Sequence, residues 1–116
     1  MQTLLRSRSR APAAGKRFAV LGVDPSLTST GYAYETPSGV KTGRITPDQL
    51  RGAKRLFYIR LMLANVIKQA KPSLVVLEDY AMGARGNNMF HIGELGGVLK
   101  TMVWEQGIDY MLVPPT

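Results

Sequence analysis

From residue 17 onward, short apolar runs alternate with clusters of turn-forming residues. Arg17-Phe-Ala-Val-Leu-Gly-Val-Asp24 is brief, apolar and β-branched, and it ends at Pro25, the pattern of a buried strand. Pro25-Ser-Leu-Thr-Ser-Thr30 is a turn segment, and Gly31–Glu35 resumes as a second strand. Pro37-Ser-Gly39 marks a tight turn before a third strand over Val40–Ile45. Strands joined this closely can only be antiparallel neighbours.

The period then changes. Leu50, Ala53, Leu56, Ile59, Leu63, Val66, Ile67 and Ala70 recur at helical spacing up to Pro72. Thr46-Pro-Asp-Gln49 predicts the start of this helix, with Thr46 as cap, Pro47 in the first turn and Gln49 closing a capping box. Leu74-Val-Val-Leu-Glu78 is a second buried strand of the apolar type, and Ala81–Asn88 is a glycine-containing loop. Met89, Ile92, Leu95, Leu99, Met102 and Val103 predict a second helix that Gly107 stops. Ile108–Val113 is the last strand, cut off by Pro114-Pro115. The order β-β-β-α-β-α-β places the chain in the α/β class, with no internal repeat and no internal linker.

Composition narrows the chemistry. The 116 residues contain no cysteine and one histidine, His91, which excludes disulfide scaffolds, thiolate metal sites, cysteine catalysis and His-rich metal centres. Fifteen Lys and Arg face eight Asp and Glu, a net charge of +7. Five of the basic residues (Arg6, Arg8, Arg10, Lys16 and Arg17) fall in the first 17 positions, where there is no acid. Residues 1–17 therefore read as a basic, disordered tail ahead of a domain over 18–116. Such a tail suits nucleic acid or an acidic surface, or serves as a solvated leader. Its Arg- and Ser-rich character also leaves a mitochondrial transit peptide open. With no secretory core and no apolar run long enough to span a bilayer, the expected location is the cytoplasm.

Two carboxylates stand out by position. Asp24 ends the first strand and Glu78 the fourth; if these strands are parallel neighbours, they lie about 4.8 Å apart. Open α/β sheets bind ligands at such carboxyl ends, and hard oxygen ligands suit Mg²⁺ or Mn²⁺. Alternation sets Phe18, Val20, Gly22 and Asp24 on one face and Leu74, Val76 and Glu78 on one face of their strand, turning Asp79 away. Each acid alone also fits an ordinary role, Asp24 as a turn residue before Pro-Ser and Glu78-Asp79 as a solvent-facing strand end. Arg44, Arg51, Lys54, Arg55 and Arg60 gather around the first helix, as a phosphate-contacting face or as a solvated one. His91 reads as a surface or core histidine. Gly93-Glu-Leu-Gly-Gly97 lacks the preceding strand and the Lys-Ser/Thr of a nucleotide loop.

Taken together, Leu21-Gly-Val-Asp24-Pro-Ser-Leu-Thr-Ser-Thr-Gly31, Val75-Val-Leu-Glu78-Asp-Tyr80 and Ile92-Gly93-Glu-Leu-Gly-Gly97 resemble the motifs of the RuvC-type Holliday junction resolvases, especially phage-borne ones. The resemblance covers residues 18–116. It implies a ribonuclease H-like fold, a mixed five-stranded sheet of order 3-2-1-4-5 whose first three strands are antiparallel, with two helices. It implies that Asp24 and Glu78 are catalytic metal ligands in a site for two Mg²⁺ or Mn²⁺ ions, which clamp a scissile phosphate. It also implies a homodimer acting on branched DNA, with no membrane and no small-molecule substrate. The candidate DNA contacts are Tyr80, Arg85, Arg44, Arg51 and Arg55. Gly93, Gly96 and Gly97 would let the second helix approach another element.

Two departures from the family pattern stand out. The aromatic often found three residues after the Glu is replaced by Ala81, beside Tyr80. The last helix of the family, which carries two further acidic ligands, has no counterpart before Thr116, so weak or absent turnover by these residues is expected. Two rival readings remain: a non-catalytic module of the same fold that holds branched DNA, and an actin-like or sugar-kinase-like nucleotide-binding fragment. Junction cleavage with Mg²⁺ separates the first from a nuclease, and ATP binding would point to the second.

Overall fold

The computed structural model describes residues 3–5, 18–79 and 87–114. Its elements run β1 (Thr3–Leu5), β2 (Val20–Asp24), β3 (Thr30–Thr36), β4 (Gly39–Ile45), α1 (Gly52–Ala70), β5 (Leu74–Glu78), α2 (Asn87–Glu105) and β6 (Asp109–Val113). They build one six-stranded sheet in the order β1-β6-β5-β2-β3-β4. β2–β3 and β3–β4 pair antiparallel, and β2–β5 and β5–β6 pair parallel. The five strands expected from the sequence therefore stand in the expected order.

The sixth strand is a correction. Thr3–Leu5, part of the stretch expected to be a disordered tail, pairs antiparallel with β6, Leu4 opposite Met111. A β-branched and apolar tripeptide satisfies there the backbone groups that β6 would otherwise expose along a sheet edge. The basic residues of that stretch lie outside the described residues.

Both helices pack on one face of the sheet. Leu21 and Val23 of β2, Tyr34 of β3, Val75 and Leu77 of β5 and Tyr110 of β6 meet Ile59, Leu63, Val66 and Ile67 of α1 and Leu95, Leu99, Met102 and Val103 of α2. The alternation of β-strands sends every second residue to the opposite face. Val20 is 41% exposed there and Val40 68%. Among the described residues no element covers this second face. α1 and α2 are also joined by an exposed Arg60–Glu105 ion pair at 2.6 Å, of a kind worth at most about 1 kcal/mol.

The helix ends follow local rules at both C-termini. α1 stops at Lys71, whose φ of 48° and N–H donated to the Ile67 carbonyl close a left-handed cap just before buried Pro72. α2 stops at Gly107 (φ 75°): its N–H bonds the Trp104 carbonyl and the Ile108 N–H bonds that of Val103, a Schellman closure. The start of α1 departs from the local rules. Thr46–Gln49 does not cap the helix. Leu50 N–H bonds the Pro47 carbonyl in an isolated turn, Asp48 takes φ 51°, and the helix begins only at Gly52 behind Arg51, which makes no side-chain cap bond. Gly52 itself has φ 56°, a backbone state that separates the turn from the helix and that glycine adopts without steric cost. No helix among the described residues is long and apolar enough to cross a membrane.

The β3–β4 hairpin turns on Pro37-Ser38, with Thr36 Oγ1 donating to the Gly39 carbonyl (2.9 Å) and accepting from the Ser38 N–H (3.2 Å). It pairs Tyr32 with Gly43, and the Tyr32 ring lies across the space a Cβ on residue 43 would need. Gly43→Ala should therefore lower stability by about 1–3 kcal/mol, measured by urea unfolding. In a double-mutant cycle, Tyr32→Ala should remove most of that penalty, a non-additivity expected of groups competing for one space.

Candidate active site

The β2–β5 register begins where Ser73 and Leu74 N–H groups both donate to the Ala19 carbonyl (2.7 and 3.2 Å) and Ser73 Oγ accepts the Ala19 N–H at 3.3 Å. It continues through Val20–Leu74, Leu21–Val75, Gly22–Val76 and Val23–Leu77. The next step sets Asp24 beside Glu78, both at the carboxyl ends of their strands and on the open face. The Glu78 position in turn pairs with Val113, while Asp24 pairs with Gly31 and Gly31 with Arg44. One transverse row thus reads Val113, Glu78, Asp24, Gly31, Arg44. The adjacent row holds Val76, Gly22, Ala33 and Thr42, side chains small enough to leave a cleft of about 440 Å³ above them.

The loop after Asp24 is tied by its own hydroxyls. Thr30, fully buried, donates its hydroxyl to the Ser26 carbonyl at 2.7 Å and accepts the Ser26 N–H at 3.0 Å. Ser26 Oγ accepts the N–H groups of Thr28 and Ser29, each at 3.2 Å. These bonds hold Pro25–Ser29 in a compact turn, so Asp24 is fixed from both sides: by the sheet before it and by the loop after it.

Asp79 does not share the cleft. It borders a narrow recess beneath α2, with Pro25, Leu77, Ile92, Gly93, Gly96 and Lys100, which Glu78 also lines from the strand end, while its N–H donates to the Val113 carbonyl at 2.8 Å. The candidate basic residues separate. Arg44 lines the first cleft. Arg55 lines a second, on the helix side of the Asp24 loop, together with Ser26, Thr28, His91, Ile92 and Asp24, which borders both clefts; its Nε is buried without a hydrogen-bond partner among the described residues. Arg51 is exposed at the start of α1, and Arg60 is engaged with Glu105. His91 is a surface residue whose Nδ1 lies 3.6 Å from Glu94 Oε1. Tyr80 and Arg85 lie outside the described residues. A Cβ built on Gly93 or Gly97 would meet nothing within 4 Å among the described residues, and one on Gly96 would meet only the Lys100 side chain, so close packing against the sheet does not require glycine at these positions of α2.

The donor set can be tested against a divalent ion. Two hard carboxylate oxygens side by side on an open face fit one hydrated Mg²⁺ or Mn²⁺. Among the described residues no group of three or more Asp, Glu, His or Cys comes together, and two ions held against their mutual repulsion need more acids than this. The residues present fit one ion and not a pair.

Residues 20–116 match the family model of the crossover junction endodeoxyribonuclease RuvC. The chain belongs to the RuvC family. Its sequence is 24% identical over 96 residues to the RuvC of Rickettsia bellii, covering 78% of this chain and 61% of that protein. It is 26% identical over 102 residues to that of Hydrogenovibrio crunogenus, covering 84% and 59%. The RuvC of Caldanaerobacter subterraneus shares 31% over 85 residues, covering 68% and 52%. The chain thus spans about three-fifths or less of the length of these relatives. In structure it is similar to Thermus thermophilus RuvC in complex with a Holliday junction substrate, with a TM-score of 0.69, 18% identity and coverage of 85% of this chain and 66% of that one. The RuvC fold, ribonuclease H-like, is therefore shared, as the order of the five principal strands requires.

The sequence alone missed the part played by the β3–β4 hairpin, which supplies Gly31, Ala33, Thr42 and Arg44 to the cleft. The signal was present in the two-residue turn at Pro37-Ser38, which fixes Gly31 opposite Arg44. Mn²⁺ titration should give weak binding, with Kd about 10⁻⁴–10⁻³ M, as for loosely built oxygen sites. Asp24→Asn and Glu78→Gln should each weaken it about tenfold or more, and Asp79→Asn should leave it within about twofold. Equal losses for all three variants would contradict the division of the acids between two faces.

Proposed function

We propose that this chain is the core of a metal-dependent endonuclease that hydrolyses phosphodiester bonds in branched DNA, with the four-way junction as substrate. One observation carries the reading: Asp24 and Glu78 follow the paired Val23 and Leu77 at the carboxyl ends of parallel strands and line one cleft on the open sheet face, in a chain of the RuvC family. A Thermus protein of the same fold in complex with a Holliday junction fits this substrate.

In this reading Asp24 and Glu78 are the catalytic residues and hold Mg²⁺ or Mn²⁺. When bound, the ion supplies Lewis-acid polarisation of the phosphodiester and charge neutralisation between the two carboxylates. The hydroxyl-tied loop keeps Asp24 in one orientation. The small-residue floor admits a sugar-phosphate backbone where bulkier residues would exclude it. Arg51 and Arg55 contact phosphates on the helix side of the Asp24 loop, Tyr80 and Arg85 act on the junction from the segment that follows β5, and the basic leader adds sequence-independent affinity. Residues 18–116 form the nuclease domain and work in the cytoplasm. The two carboxylates suffice for one ion, so residues 1–116 turn over slowly.

The second copy docks through α2. Phe90 (67% exposed), Gly93, Gly97, Thr101 and Trp104 (47% exposed) line its outer surface, a stripe in which the glycines permit close approach and the aromatics supply contact area. A two-fold dimer matches the two-fold placement of cuts that a junction requires.

A synthetic four-way junction labelled on each strand tests the activity. With Mg²⁺ or Mn²⁺ the chain should produce slow, paired nicks; Asp24→Asn should abolish them and leave junction affinity within about twofold, since a carboxylate opposes phosphate binding rather than assisting it. Tight junction binding without cutting under either ion would instead support the DNA-holding module. Sedimentation should give a dimer at high micromolar concentration, and Gly97→Arg should return it to monomer.

A further inference from the structure

The cleft beside Asp24 holds a residue that metal ligation does not use. Arg44 belongs to the same transverse row as Glu78 and Asp24, with Gly31 between. A Cβ at residue 31 would lie 3.9 Å from Arg44 Nη1 and 3.9 Å from the Asp24 Cβ, so both side chains come into van der Waals reach of one point above β3. With glycine at residue 31, the guanidinium extends over bare backbone on the Asp24 side of β3, in the space a larger side chain would occupy.

Arg44 is nevertheless not committed to Asp24. Its Nη1 donates to Ser29 Oγ at 3.3 Å, an exposed and long bond. Among the described residues it makes no other hydrogen bond and no ion pair. A guanidinium carries five N–H donors in a planar fork, and most of this fork is unspent. The fork borders the cleft whose floor is Gly22, Ala33 and Thr42. A cationic fork with free donors, next to a carboxylate pair and over a floor of small residues, is complementary to the two non-bridging oxygens of a phosphodiester.

We propose that Arg44 is the phosphate-positioning residue of this site. It holds the phosphate that lies at Asp24 from the side opposite Glu78, and Gly31 is the gap that lets it reach. The proposal rests on the nuclease reading and adds a residue to it. It carries a signature that neither a solvated arginine nor a plain counter-ion shares. Toward DNA the guanidinium attracts; toward a divalent cation at Asp24 the same charge repels. Removing it must shift the two affinities in opposite directions.

The experiment measures anisotropy of a fluorescent four-way junction against salt, without divalent ions, and Mn²⁺ binding without DNA. It uses the 116-residue chain, Arg44→Ala, Arg44→Lys and Gly31→Val. Arg44 is exposed, so Arg44→Ala should fold normally, as circular dichroism will verify. Arg44→Ala should reduce the slope of log K against log salt by about 0.9, one phosphate contact. It should also tighten Mn²⁺ roughly two- to fivefold, the unit charge acting through water and salt. Arg44→Lys should keep the slope and lose part of the affinity, because a point charge replaces the fork. Gly31→Val preserves every charge but fills the gap, and should weaken junction binding severalfold. An unchanged slope in Arg44→Ala, weaker Mn²⁺ binding in that variant, or normal junction binding by Gly31→Val would overturn the proposal. If the unsubstituted chain shows no salt-dependent junction binding, the nuclease reading itself falls and this one with it.

Discussion

The parallel pairing of β2 with β5 is the constraint on which the site depends. It is set at its entry by three hydrogen bonds between Ala19 and Ser73-Leu74, five residues before the chemistry. Side chains alternate along a strand, so a slip of one residue would turn Glu78 into the core and a core residue onto the open face. The burial of Leu21, Val23, Val75 and Leu77 against two helices makes that slip costly, at about 1.5–3 kcal/mol for each large apolar side chain brought to solvent. The energy that places the two carboxylates together is therefore stored in apolar packing on the other side of the sheet. Two acids side by side repel, and the fold overrides that repulsion because their backbones have no freedom to separate.

The one-sided packing of α1 and α2 divides labour across the sheet. The helix face is closed and apolar, and Asp79, one residue beyond Glu78, falls toward it. The open face carries small residues where the cleft lies and polar ones at its rim. A glycine at residue 31 and an arginine at residue 44 extend the acidic pair into a row that alternates charge and space. This is a surface suited to an extended anionic backbone rather than to a small enclosed ligand.

Much of this was legible in the chain. Apolar runs of five residues ending in Asp24 and Glu78 identified both strands and the two acids, because strand-end carboxylates after buried runs are visible in one dimension. The Gly107 stop and the Pro72 stop were equally local. The start of α1 was not, since Thr46–Gln49 satisfies every capping rule and yet forms a separate turn. There the buried Pro47 and the left-handed Asp48 and Gly52 outweigh a weak local preference. The Thr3–Leu5 strand is not legible in the sequence because one threonine and two leucines gain stability only from an edge supplied by β6, more than a hundred positions away. The sequence marks Arg44 as a candidate DNA contact near the first helix; its place beside Asp24 follows from hairpin register, a pairwise property that composition does not reveal.

The account places the divalent ion on the open face, between β2 and β5. Paramagnetic broadening of backbone amide signals by substoichiometric Mn²⁺ tests this most directly in the nitrogen-15-labelled chain. The amides of Asp24, Gly31, Glu78 and Val113 should fade first, those of Gly22 and Val76 next, and those of Leu63 and Leu99 in the helices last. Broadening centred instead on His91 and Glu94, or on Asp48, would show that the two strand-end carboxylates do not form the metal site.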